Sequence, residues 1–172
     1  MLRNGSACGC GPQSLGSTPG FHPSKEEKMN ILFVCKHNVF RSKIAEAYFK
    51  KVNKNKNINV SSAGIIKSDI LTKTEKRIVK FQRETAREFG IEVKDGSKSM
   101  SISLLNKQDI IIIVANDVPK KIFNNKFYLK QNLKVVVWKI FDVKKEEDYK
   151  EVVKKSIKVI MKKIDKLVEE LK

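Results

Sequence analysis

Residues 31–42 read Ile31-Leu32-Phe33-Val34-Cys35-Lys36-His37-Asn38-Val39-Phe40-Arg41-Ser42. The apolar run that ends at Val34 has the length of a short buried strand, and apolar side chains then recur at helical spacing from Ser42 to Val52. The stretch therefore predicts a strand, a loop and a helix, with Cys35 at the carboxyl end of the strand. Ligands of open parallel sheets bind beyond the carboxyl ends of the strands, so this loop is a candidate binding site.

The loop between the strand and the helix has the features of an anion site with its own nucleophile. A loop that leads into a helix N-terminus points several backbone N–H groups at one place, where the positive end of the helix dipole also lies. The same field, with a cation nearby, favours the thiolate form of a cysteine, which is the nucleophilic form. Arg41 follows Cys35 by six residues and can bind two phosphate oxygens in a fork. The loop therefore predicts a phosphate site.

The remainder of the chain alternates between strand and helix patterns. The predicted strands are residues 31–34, 57–62, 110–114 and 134–138, and the predicted helices are residues 42–52, 74–89, 117–123 and 146–171. Gly90 is expected to end the second helix, and Pro119 to lie in the first turn of the third. This order predicts an α/β fold with a doubly wound open sheet of about four parallel strands, helices on both faces, and the phosphate-binding loop between the first strand and the first helix.

The chain of 172 residues, of which 41% are hydrophobic, is expected to form one folded domain after a short leader. Residues 1–28 hold five of the eight glycines, three of the four prolines and two of the three cysteines. Such a composition argues against regular structure. We interpret residues 1–28 as a disordered leader, either a tag added for expression or a native tail, and residues 29–172 as the domain.

The composition also limits the partners and the compartment. A net charge of +17, carried by lysines spread along the chain, attracts anions generally. No basic stripe interleaved with aromatic residues is present, so nucleic acid is not the expected ligand. The longest apolar run, Ile110 to Ala115, is far shorter than the roughly 20 residues of a membrane span, so no membrane partner is expected. Three cysteines without a disulfide framework and the lack of a secretory signal indicate the cytoplasm.

The stretch from Ile31 to Phe49 closely resembles the phosphate-binding loop and first helix of the low-molecular-weight protein tyrosine phosphatase family. That superfamily also includes thioredoxin-coupled arsenate reductases. The likeness continues through Ser61-Ser62-Ala63-Gly64, the strand that follows Asp109, and Trp138-Lys139-Ile140-Phe141-Asp142. It thus covers Met29 to Lys172 and leaves out the leader.

The resemblance implies a role for each residue of the site. Cys35 matches the nucleophile, Arg41 the clamp of the transition state, and Asp142 the general acid. Ser42 matches the hydroxyl that hydrogen-bonds the thiolate, and Asn38 the residue that shapes the loop. The residues expected to bind substrate are Lys36, His37, Asn38, Val39, Phe40 and Ser42. The resemblance implies neither a metal nor an organic cofactor.

The sequence also departs from the family pattern. His37 stands where the family usually has glycine, and Phe40 where it often has a second cysteine that protects the nucleophile as a disulfide. Val39 stands where arginine-phosphate-specific members carry threonine and tyrosine-specific members an aliphatic residue. Asp142-Val143 replaces the family's Asp-Pro pair. Lys144 and Lys145 replace the aromatic residues that follow this pair in tyrosine-specific members. These replacements weaken the expectation that the protein prefers phosphotyrosine.

These features together predict a cysteine-dependent phosphatase that works through a phosphocysteine intermediate. The expected substrates are phosphorylated proteins, including phosphotyrosine proteins, or small aryl phosphates, and the product is inorganic phosphate. One alternative is an arsenate reductase that relies on external thiols, because no cysteine follows Cys35. A second alternative is a non-catalytic module that binds phosphorylated ligands through the same loop.

Several further residues have expected roles outside the loop. If Asp142 were not the general acid, Asp117 and Asp148 would be the next candidates, since Asp117 follows a buried strand and Asp148 lies just beyond the loop of Asp142. Asp109 is expected to cap or orient a strand end. Trp138 and Phe141 are expected in the core and the pocket wall, and His37 as a partly exposed loop residue that tunes the pocket.

Overall fold

The structure, a computed structural model, describes residues 28–66, 71–124, 129, 132–142 and 149–172. The leader lies outside these ranges except for Lys28. The strands are β1 (Met29–Cys35), β2 (Ile58–Gly64), β3 (Ile110–Val114) and β4 (Lys134–Trp138). The α-helices are α1 (Arg41–Val52), α2 (Lys73–Glu88), α3 (Ile102–Leu105) and α4 (Tyr149–Glu170), and Lys120–Phe123 forms a 3₁₀ helix.

The four described strands form one parallel sheet in the order β2-β1-β3-β4. Ile31 of β1 pairs with Val60 of β2 on one side and with Ile110 of β3 on the other. The predicted parallel α/β fold is therefore confirmed. Because the strand order reverses between β1 and β3, a crevice is expected where the carboxyl ends of these two strands diverge.

Both faces of the sheet are apolar, which explains why its central strands read as continuous hydrophobic runs. Side chains alternate along β1, so Ile31 and Phe33 face α1 and α4 while Leu32 and Val34 face the other side. The first face packs against Ile44, Phe49, Ile157, Ile160 and Ile164. The second face packs against Leu105 and Phe123, among others. No helix in the described ranges combines the length and apolarity needed to cross a membrane.

Helix α2 begins and ends at local signals in the sequence. Thr72 accepts a hydrogen bond from the Glu75 backbone N–H, and the Glu75 carboxylate accepts one from the Thr72 backbone, which forms a capping box. The helix therefore starts one residue before the predicted Thr74. It ends at Glu88, one residue before the predicted Phe89. Gly90 follows with a φ of +66°, a left-handed conformation that glycine adopts at little cost, and terminates the helix as predicted.

The prediction of a helix over residues 117–123 was wrong in extent. Only one 3₁₀ turn forms, and Pro119 precedes it with an extended ψ of 128° instead of lying in its first turn. A proline also biases the residue before it away from helical geometry, so Val118 cannot join the turn easily. The short helix α3, capped by Ser101, was not predicted because four residues are too few to show a period. The predicted start of the last helix lies outside the described residues.

Candidate active site

Cys35 is the last residue of β1 and lies in the crevice where the strand order reverses. Its side chain is 2% exposed. The adjacent residue of β2 is Gly64, and a Cβ there would lie 2.7 Å from the carbonyl carbon of His37 and 2.8 Å from the backbone nitrogen of Asn38. Only a residue without a side chain leaves the loop room to pass over the end of β2.

The N-terminus of α1 is open toward this loop. Phe40 occupies the N-cap position and provides no side-chain cap, and the first turn contains no acidic residue. The first N–H groups of a helix have no intrahelical partner, and they carry the positive end of the dipole. Since no side chain of the cap neutralises them, these groups are available to an anion.

Two polar groups lie within hydrogen-bond distance of the sulfur of Cys35. The hydroxyl of Ser42 is 3.0 Å from Sγ, and the backbone N–H of Asn38 donates to Sγ at 3.3 Å. When Cys35 is a thiolate it has no proton, so Ser42 must be the donor in that pair. The sequence prediction that Ser42 hydrogen-bonds the sulfur agrees with this geometry.

Asn38 joins the loop to the strands behind it. Its φ is +53°, a left-handed conformation that asparagine tolerates better than most residues. Its amide nitrogen donates to the hydroxyls of Ser42 (2.9 Å) and Ser62 (2.8 Å), and its amide oxygen accepts from the backbone N–H of Lys98 (2.8 Å). Ser62 in turn donates to Glu46 at 2.5 Å. The side chain of Asn38 thus fixes a strained turn from three directions.

Arg41 is anchored by contacts from two other parts of the chain. Its Nη1 donates to Oδ1 of Asp117 (3.0 Å) and to the carbonyl of Ile140 (3.1 Å), and its Nη2 donates to Oδ2 of Asp117 (3.4 Å). Asp142 is close as well, with Oδ1 3.6 Å from Nη2. A guanidinium has five N–H donors. Among the described residues, these hydrogen bonds leave the Nε–H and one Nη2–H free of a hydrogen bond, and this is the edge with which arginine binds two oxygens of a phosphate.

A cavity of about 320 Å³ opens beside Cys35. The predicted site residues that line it are Cys35, His37, Val39, Phe40, Arg41 and Asp142. Asn38 and Ser42 are fully buried and support the loop from behind, and Lys36 is not part of the lining. Phe141 was expected in the pocket wall, but its side chain is 72% exposed and does not line this cavity, whereas Trp138 is buried in the core as predicted.

The opposite wall of the cavity comes from α2 and from Leu71, two residues before it, which sequence reasoning missed. These lining residues are Leu71, Glu75, Ile78, Val79 and Gln82. The available signal was Ile78 and Val79, two adjacent apolar residues between charged neighbours on α2. The pKa of Glu75 lies below its ordinary value, because hydrogen bonds from Thr72 stabilise the carboxylate and the nearby His37 and Lys36 add to this.

His37 is partly exposed as predicted, and its Nδ1 is buried without a hydrogen-bond partner in the described part of the chain.

Comparisons with known proteins agree with this architecture. Residues 30–172 match the family model described as low molecular weight phosphotyrosine protein phosphatase. No individual curated protein sequence is matched. A low molecular weight protein tyrosine phosphatase from T. tengcongensis is 26% identical with a TM-score of 0.59, covering 83% of this chain and 99% of its own.

Two further similar structures are of enzymes with other activities. The YwlE arginine phosphatase from Geobacillus stearothermophilus is 19% identical, covers 83% of this chain and 92% of its own, and has a TM-score of 0.63. An arsenate reductase from Archaeoglobus fulgidus is 25% identical, covers 78% of this chain and 98% of its own, and has a TM-score of 0.50. The fold alone therefore does not select the substrate.

Proposed function

We propose that this chain, which belongs to the low molecular weight phosphotyrosine protein phosphatase family, hydrolyses phosphomonoesters through a phosphocysteine intermediate on Cys35. The observation that carries the proposal is the setting of the Cys35 sulfur. As a thiolate it accepts hydrogen bonds from Ser42 and the Asn38 backbone, and it lies in one cavity with Arg41 at the uncapped N-terminus of α1. Such a setting stabilises a thiolate and a phosphate dianion side by side.

The first chemical step forms the bond between Cys35 Sγ and phosphorus and breaks the bond between phosphorus and the leaving oxygen. The loop N–H groups and the unused edge of Arg41 hold the equatorial oxygens, where negative charge is concentrated in the transition state. Asp142, which lines the same cavity and is 52% exposed, gives its proton to the leaving oxygen.

The second step frees the enzyme. Asp142, now a carboxylate, takes a proton from a water molecule, and the oxygen of that water attacks phosphorus while the bond to Sγ breaks. Inorganic phosphate leaves and Cys35 returns as a thiolate. Asp117 is less suited to this role, since both of its carboxylate oxygens accept hydrogen bonds from Arg41 and it does not line the cavity.

The substrates proposed are phosphorylated proteins, phosphotyrosine proteins among them, and small aryl phosphates. The wall opposite Cys35 is partly apolar, with Leu71, Ile78 and Val79, and can contact an aromatic ring. A cytoplasmic location is part of the proposal, because the nucleophilic thiol of Cys35 must stay reduced to act.

Replacement of the nucleophile tests the proposal. Cys35→Ser is expected to remove turnover of para-nitrophenyl phosphate while keeping affinity for inorganic phosphate or vanadate, since the amides and Arg41 remain. Titration calorimetry and a turnover assay on the same preparation provide the two measurements. Near-normal turnover by Cys35→Ser would show that Cys35 is not the nucleophile. If the unmodified protein binds phosphate but turns over no phosphoester, the protein is a binding module and not a phosphatase.

The arsenate reductase alternative is supported by the likeness to the Archaeoglobus fulgidus enzyme. No cysteine follows Cys35, so any later thiol of that reaction has to come from another molecule. Arsenate-dependent oxidation of thioredoxin or glutathione at a rate above phosphoester hydrolysis would favour the reductase over the phosphatase.

A further inference from the structure

Helix α2 carries a row of cations that begins beside the catalytic cavity. Lys76, Lys80, Arg83 and Arg87 are spaced four, three and four residues apart, so they lie along one face of the helix. Val79 lies next to this row and also lines the cavity that contains Cys35. The row therefore leads away from the nucleophile along α2.

A second cavity of about 470 Å³ lies along the same helix face. We call it the α2 groove. It lies between the cations of α2 and the segment 95–97, and it shares Val39, Leu71 and Val79 with the catalytic cavity. The two cavities are therefore adjacent. A molecule whose phosphate binds at Cys35 can extend past Val39 into the α2 groove and stay in contact with the protein along its length.

The charge of the α2 groove is positive. Four cations line it against two carboxylates, Glu84 and Asp95. Asp95 forms an ion pair with Arg83, but the Nε of Arg83 is buried and has no hydrogen-bond partner among the described residues. Within the same ranges, Lys76 and Lys80 form no ion pair. These two lysines therefore supply positive charge that no described carboxylate pairs with.

The dimensions suit a short extended peptide. The axial distance from Lys76 to Arg87 is about 16 Å at the rise of an α-helix. An extended peptide covers that distance with about five residues. The shared residues Val39, Leu71 and Val79 give the entrance of the groove an apolar floor, and the lysines and arginines of α2 supply the charge on one side.

We propose that the α2 groove binds an acidic peptide segment that flanks the phosphorylated residue of a protein substrate. The preferred substrates are then phosphoproteins with Asp or Glu within about five residues of the phosphorylated side chain. This inference rests on the proposed function, because it assigns the substrate class of the same active site. Complementary charge raises the rate of encounter and selects among partners.

The test compares three phosphotyrosine peptides of equal length whose flanking residues are acidic, amide or basic. The key variant is Lys76→Glu with Lys80→Glu. Its matched control is Lys158→Glu with Lys162→Glu, an exposed pair of lysines that is also four residues apart but lies on α4 and lines neither cavity. Both variants change the net charge equally.

We expect the unmodified protein to have kcat/KM about tenfold higher for the acidic peptide than for the amide peptide at low salt. The preference should vanish in the α2 variant, persist in the α4 variant, and weaken as salt is added. An equal loss of preference in both variants would mean that the preference depends on the net charge of the protein and not on the α2 groove, and this would overturn the proposal. So would the absence of any preference in an enzyme that hydrolyses all three peptides.

A binding measurement keeps the test independent of catalysis. Fluorescence anisotropy of the labelled peptides on the Cys35→Ser protein should give a lower Kd for the acidic peptide, and the α2 substitutions should remove that difference. If the unmodified protein hydrolyses no phosphoester but this binding pattern appears, the proposed function fails and the groove assignment stands. If an oligonucleotide of equal charge competes as well as the acidic peptide, the groove binds polyanions generally and the proposal is overturned.

Discussion

Asp117 binds Arg41 end-on, with Oδ1 3.0 Å from Nη1 and Oδ2 3.4 Å from Nη2. Asp117 follows β3 and Arg41 begins α1, so the pair joins two elements at the same edge of the sheet. The side chain of Arg41 is only 5% exposed, and a charge buried to that extent requires a partner. Asp117 therefore fixes the orientation of the guanidinium before a phosphate arrives.

The first prediction concerns this pair. Asp117→Ala should lower kcat/KM for an aryl phosphate by roughly 10- to 100-fold, because Arg41 loses its orientation, and Asp117→Asn should cost less because one acceptor remains. Both variants should unfold at lower temperature. Added phosphate should raise the Tm of Asp117→Ala more than that of the unmodified protein, since the dianion replaces the missing charge. Unaltered kinetics in Asp117→Ala would contradict the positioning role.

The second prediction concerns Gly64. A methyl group at this position would lie 2.7 and 2.8 Å from backbone atoms of the loop, which cannot rotate away as a side chain can. Gly64→Ala should therefore displace His37 and Asn38 and lower kcat/KM by about 100-fold, comparable with other small displacements of catalytic groups. Calorimetry should show weaker phosphate binding in the same variant. Normal phosphate affinity in Gly64→Ala would mean that the loop adapts without loss.

The limits of β3 and β4 coincide with the sequence prediction. Strand β3 is an uninterrupted apolar run that is almost entirely buried, and β4, at the edge of the sheet, carries three consecutive valines and a buried Trp138 after an exposed Lys134. The loop was equally accessible to prediction, since Cys35, Asn38, Arg41 and Ser42 are close in sequence and meet in space through one turn. Features that depend only on residues close in sequence, such as these strands and this loop, can be predicted from that sequence alone.

Contacts between distant segments were not predictable in this way. Asp117 was considered only as a substitute acid, and nothing in its neighbourhood indicates a contact with Arg41, 76 residues away. The same is true of the wall formed by α2, because nothing in the sequence of this amphipathic helix indicates that Ile78 and Val79 lie opposite Cys35. Their position depends on how α2 packs, which follows from the whole fold and not from local pattern.

The third prediction concerns stability at high pH. The hydroxyl of Tyr48 on α1 donates to Asp165 on α4 at 2.9 Å. Burial, followed by the hydrogen bond and the charge of Asp165, raises the pKa of Tyr48 above its ordinary value. The folded state therefore favours the protonated tyrosine, so this contribution is complete below the unfolded pKa of about 10 and is lost as pH rises through the folded value.

Tyr48→Phe should lower the free energy of unfolding at pH 7 by about 1 kcal/mol, the usual net value of one hydrogen bond. Above pH 10 the unmodified protein should lose stability faster than the variant, so the difference between them should shrink. Urea unfolding at pH 7 and at several values above pH 9 measures both effects. A difference that stays constant across this range would exclude Tyr48 as the titrating group.

The fourth prediction concerns Val39, which lies in the wall of the catalytic cavity and at the entrance of the α2 groove. The family resemblance associates threonine at this position with arginine phosphate and an aliphatic residue with tyrosine. Phosphoarginine should therefore be hydrolysed with a kcat/KM at least about tenfold below that of an aryl phosphate, a difference typical of one altered pocket contact. Val39→Thr should narrow the gap. Faster hydrolysis of phosphoarginine by the unmodified protein would reverse this interpretation of Val39.

The last prediction tests Asp142 as the general acid. A general acid contributes most when the departing oxygen is a poor leaving group, so the response to the leaving group separates this role from simple binding. Asp142→Asn should slow hydrolysis of a tyrosyl or alkyl phosphate by roughly 100-fold or more and affect a highly activated aryl phosphate much less. The basic limb of its rate profile should flatten because no carboxylic acid remains to lose a proton. Equal losses on all substrates would instead indicate that Asp142, 3.6 Å from Arg41, acts on the arginine and that another residue supplies the proton.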